Sequence, residues 1–131
     1  MLRIGVLAMA LLSGFCMIAP AQEGHPLAGS WHGDWGAGSG QRTPIFFYLK
    51  WDSKNVVGTI NPGPHAIPLK VATLDAEHWT VHFEAETKDA AGKPVSIVID
   101  GKLDNIGSYH RIITGTWSQG SVKGDFKLTR D

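Results

Sequence analysis

Six histidines are among the residues able to carry chemistry: His25, His32, His65, His78, His82 and His110. Two of them have a carboxylate two positions on, His32 with Asp34 and His82 with Glu84. In a strand that spacing puts both side chains on one face. Each pair therefore offers two metal ligands, or a proton carrier with an orienting partner. A zinc site needs three or four converging ligands. The sequence identifies no third for either pair, so no metal is assigned. General acid–base work would fall to His32, Asp34, Tyr48 and His110. No serine sits in a nucleophile elbow and no paired carboxylates stand out. The run Gly36-Ala37-Gly38-Ser39-Gly40 has neither the spacing nor the following Lys and helix of a phosphate loop. It reads as a flexible loop. No catalytic residue and no cofactor are assigned.

The aromatic residues point elsewhere. Five tryptophans occur, at 31, 35, 51, 79 and 117. Trp31 and Trp117 read as core. Trp35, Trp51 and Trp79, with Phe47 and Phe83, are the candidate ligand-contacting residues of an aromatic-lined cavity. Such a site suits an apolar or amphipathic small molecule. The competing reading is a small interior packed solid by the same rings.

These residues lie on strands. Trp79, Val81, Phe83 and Ala85 alternate with Thr80, His82, Glu84 and Glu86, giving one dry and one wet face. Ile45, Phe47, Leu49 and Trp51 alternate with Phe46, Tyr48 and Lys50, so a second strand is apolar on both faces for part of its length. The pattern predicts eight strands, at about 29–35, 44–51, 55–61, 66–74, 78–86, 94–103, 109–117 and 121–129. Pro68 removes a ladder donor, so the fourth is expected to bend or lie at an edge. Gly33, Gly58, Gly101, Gly115 and Gly124 sit inside strands, where sharp bending or close approach excludes a side chain. An open meander leaves two raw edges and closure removes them. The expected fold is all-β: a single antiparallel up-and-down eight-stranded barrel.

Gly29-Ser30-Trp31 opens the first strand and Gly115-Thr116-Trp117 closes the seventh, with Gly58-Thr59-Ile60 a weaker copy. A Gly-x-Trp opening the first strand resembles the calycin superfamily, which includes lipocalins, fatty-acid-binding proteins and avidins. That resemblance implies a lipocalin-like barrel plugged by Trp31, with late Arg130 stacking on it through a cation–π contact. The structural signature is then Gly29, Trp31, Gly115, Trp117 and Arg130. The chain is also similar to uncharacterised exported bacterial domains with such a barrel. It shares with them Gly29-Ser30-Trp31-His32-Gly33, Val56-Val57-Gly58-Thr59-Ile60, Gly115-Thr116-Trp117-Ser118-Gln119-Gly120 and Leu128-Thr129-Arg130. Some of those stand alone and others precede an exported hydrolase. The chain is shorter than true lipocalins and lacks their C-terminal helix and disulfide pair. The resemblance implies a barrel and no particular ligand.

The chain has 131 residues, with 12 Lys plus Arg against 12 Asp plus Glu. Arg3, an apolar run from Ile4 to Ile18 and Ala19-Pro20-Ala21 have the layout of a secretory signal over residues 1–21. The run is too short for a good membrane anchor, so no stable membrane insertion is expected. Residues 22–131 then form the barrel domain, about 110 residues long, periplasmic or secreted. It loses Arg3 and Cys16, leaving 11 basic against 12 acidic groups. Cysteine chemistry is excluded, and nucleic acid is not an expected partner without a basic footprint. Three readings follow. The first is a binding module for an apolar or amphipathic small molecule. The second is an accessory or interaction domain beside an exported hydrolase or other exported partner protein. The third is a cavity enzyme of isomerase or hydratase type, which requires polar groups inside the barrel.

Overall fold

Alternating side chains can bury only one face of each strand, and the eight strands solve this by wrapping that face inward. The computed structural model describes residues 25–131. Its strands are β1 (Gly29–Gly36), β2 (Thr43–Trp51), β3 (Val56–Ile60), β4 (Ile67–Asp75), β5 (Thr80–Lys88), β6 (Pro94–Asp104), β7 (Ile112–Gln119) and β8 (Val122–Arg130). Each pairs antiparallel with the next and β8 returns to β1, closing the barrel. The expected segment 1–21 lies outside the described residues.

Inward positions build one core. Trp31, Phe47, Leu49, Phe83, Ile99, Leu103, Ile113 and Leu128 are all buried. Phe47 and Phe83 meet at 5.5 Å between ring centroids, and Trp117 meets Phe47 edge-on at 6.1 Å and Phe126 at 6.2 Å. None of the buried side chains among the described residues is polar or charged.

The segment before β1 crosses the end of the barrel where β1 begins. Leu27 is fully buried. The Trp31 indole N–H donates to the Leu27 carbonyl at 2.9 Å, and Arg111 donates to Pro26 at 3.1 Å. Arg130 lies directly opposite Trp31 across β1 and β8. Its Nε donates to the Ala28 carbonyl at 2.8 Å, and its guanidinium lies against Gly29. A side chain at Gly29 would fall 2.7 Å from that Nε.

Strand glycines mark close backbone approach. A Cβ on Gly33 would lie 1.8 Å from the Lys127 carbonyl oxygen, and one on Gly115 would lie 2.0 Å from that of Asp100. Pro68 has a different effect. The β3–β4 ladder has only two register pairs, Thr59 with Pro68 and Ile60 with Ile67, and β4 bulges between Leu69 and Val71. The strand therefore bends, as a missing donor favours, while remaining within the closed sheet. Trp79 also departs from the expected pattern. It stands outside β5 at φ 54°, in the turn between β4 and β5, and still packs against the core.

Candidate binding site on the outer face of β1 and β2

Apolarity on both faces of β2 has a consequence at the surface. Ile45, Phe47 and Leu49 point inward and are buried. Pro44, Phe46, Tyr48 and Lys50 occupy the alternate, outward positions. Phe46 is 54% exposed and Tyr48 45%. Together with Pro44 and Pro62 they line a groove of about 670 Å³, whose polar margin is Ser30, Asn61 and Asp131. That volume lies within the roughly 300–1,000 Å³ usual for small-molecule sites.

The groove is framed by backbone. Asn61, at φ 52°, receives the Phe46 amide on its side-chain oxygen at 3.0 Å and donates its own amide to the Phe46 carbonyl at 2.6 Å. This clamp holds the β2–β3 pairing in register beside the groove. On the other margin the exposed side chains of His32 and Asp131 are hydrogen-bonded to each other.

Tyr48 also lines a second hollow, of about 490 Å³, at the end of the barrel where β2 finishes. Trp51, Tyr109, Lys50, Arg111 and Arg130 surround it. Trp51 is 43% exposed, and the His25 ring stacks on it at 4.7 Å. Burial lowers the His25 pKa, favouring the neutral ring against the indole.

The five aromatic residues expected to line one cavity are distributed differently. Phe47 and Phe83 lie in the interior and touch each other. Trp35 is half-buried at the opposite end from Trp51 and stacks on Trp117 at 5.0 Å. It lines a hollow of about 510 Å³ with Thr87, Val95 and Gln119. Trp51 stands at the rim and Trp79 in its turn. Sequence reading missed Phe46 and weighed Tyr48 only as an acid–base candidate, although the two-faced apolarity of β2 was the signal for both as groove residues.

The histidines divide in the same way. His82 has Glu84 at 2.6 Å on Nε2 and Asp100 at 2.6 Å on Nδ1. The third member of the group comes from the neighbouring strand, since β5 and β6 set His82 opposite Asp100. Glu84 first, then Asp100, raise the His82 pKa, and both ring nitrogens are engaged by the pairs. In the turn after β4, Asp75, Glu77 and His78 each bring one ligand atom within 4.8 Å of the others, and all three are exposed. His78 lowers the pKa of the Asp75 carboxyl. His32, Tyr48 and His110 are all exposed. Comparison of the chain with family models, with curated proteins and with solved structures gives no match.

Proposed function

We propose that this protein is a binding module for an apolar or amphipathic small molecule, held in the outer groove of β1 and β2. The reading includes export directed by residues 1–21, to the periplasm or outside the cell, and a relationship to the calycins through the Gly29–Trp31 and Gly115–Trp117 signatures. One observation carries the binding reading: Phe46 and Tyr48 stand exposed side by side in a 670 Å³ groove on a strand whose other face already supplies the core. Large aromatic rings held at the surface in a concave setting favour binding. The test is calorimetric titration with dodecyl maltoside below its micelle concentration. Binding by the native protein, lost in the Phe46→Ser/Tyr48→Ser double variant, supports the groove. Equal binding by both proteins overturns it.

A second reading, the accessory domain that docks on an exported partner, draws on Val57. It is 41% exposed on β3 and stands opposite Lys50 of β2, extending the apolar face beyond the groove. A photo-crosslinking residue at position 57 that captures one defined exported protein in cells would favour this reading. The cavity-enzyme reading has no comparable observation, because the buried side chains described are all apolar.

A further inference from the structure

Arg42 is satisfied by carboxylates: its guanidinium reaches Asp34 at 2.8 Å and Asp125 at 2.7 Å. Arg111 and Arg130 are held differently. Arg111 donates from Nε to the Ile106 carbonyl and from Nη1 to the Pro26 carbonyl, both at 3.1 Å. Arg130 donates from Nε to Ala28. These are neutral acceptors, so these hydrogen bonds themselves leave the positive charges uncompensated. Among the described residues neither arginine, nor Lys50, forms an ion pair with a carboxylate. All three line the same 490 Å³ hollow, and no Asp or Glu among the described residues lines it. Guanidinium groups fixed by the backbone with N–H groups to spare suit carboxylate, sulfate or phosphate oxygens.

This basic hollow and the apolar groove both include Tyr48. From Pro44 to Lys50 the strand runs about 20 Å. An elongated molecule lying along β2 would place an apolar tail over Phe46 and Tyr48 and its head beside Lys50, Arg111 and Arg130.

We infer that the ligand class of this groove is a single-chain amphiphile with an anionic head, the head seated between Lys50, Arg111 and Arg130. This rests on the groove reading above and deepens it. The occupant is a dissolved molecule and not a membrane surface. The cations are gathered in one hollow, whereas attraction to anionic bilayers draws on clusters of basic residues spread along the contacting surface.

Titration with dodecanoate and with dodecyl maltoside, each below its micelle concentration, tests the inference. Lys50 makes no ion pair, so Lys50→Glu probes charge without disturbing the fold; Arg130→Gln is compared alongside a melting curve. The native protein should bind dodecanoate more tightly, with an affinity that weakens as salt is added. Lys50→Glu should weaken dodecanoate about tenfold and affect the uncharged maltoside far less. Equal binding of both amphiphiles, unaffected by Lys50→Glu, overturns the anionic head and leaves the groove standing. Failure of both to bind overturns the groove itself. Binding to phosphatidylglycerol vesicles without binding to dodecanoate overturns the dissolved occupant.

Discussion

The indole N–H of Trp31 reaches the carbonyl oxygen of Leu27, four residues earlier, at 2.9 Å, and so ties the segment before β1 to the barrel's own core. Leu27 is fully buried beneath that bond. Truncating it opens a cavity in packed surroundings, and such changes cost about 2–5 kcal/mol. Leu27→Ala should lower the unfolding free energy by that amount in a urea titration.

Gly33 and Gly115 give a sharper prediction. Their Cβ positions fall 1.8 and 2.0 Å from backbone oxygens of neighbouring strands, and backbone cannot move aside as a side-chain tip can. Gly33→Ala and Gly115→Ala should each destabilise by more than about 3 kcal/mol, among the largest effects of single substitutions. Gly38→Ala, with open space around it, is the control and should stay within about 0.5 kcal/mol. Melting temperatures of the three variants decide the matter.

His82 sets a pH dependence. Glu84 and Asp100 raise its folded pKa above the ordinary 6.5. The stabilisation is complete below the unfolded value and is lost as pH rises through the folded one. The His82 side chain is 34% exposed and its partners Glu84 and Asp100 are 46% and 60% exposed, so screening keeps the effect below about 1 kcal/mol. His82→Gln should remove a decline in stability above about pH 6.5 that the native protein shows in denaturation series.

Phe46 separates binding from stability. Its side chain is more than half exposed and outside the core. Phe46→Ser should leave the unfolding free energy within about 0.5 kcal/mol and weaken amphiphile binding severalfold. Calorimetry beside urea denaturation reads both quantities.

Much of this architecture was legible in the chain. Period-two alternation, as in Val81, Phe83 and Ala85, marked the strands, and glycines such as Gly33 and Gly115 marked where they press together. Trp79 misled because an inward apolar residue in phase with β5 looks like strand, while its backbone is left-handed. The site was less legible because it depends on register. Asp100 reaches His82 from eighteen positions away, and Arg111 and Arg130 join Lys50 only when the ring closes. Burial also divides similar aromatics: Phe46 and Phe47 are chain neighbours, yet only the second is core.

The two-rung ladder between β3 and β4 bears on how the ring yields. Six pairs join β1 to β8, where no loop connects the strands, and only two join β3 to β4, where residues 61–66 do. The weakest seam is thus the tethered one. When it parts, the loop keeps the two edges at high effective concentration for one another. Opening becomes a brief, self-reversing event that competes well against strand exchange with a second molecule. Pro68 weakens the ring at a place where covalent continuity favours its rapid closure.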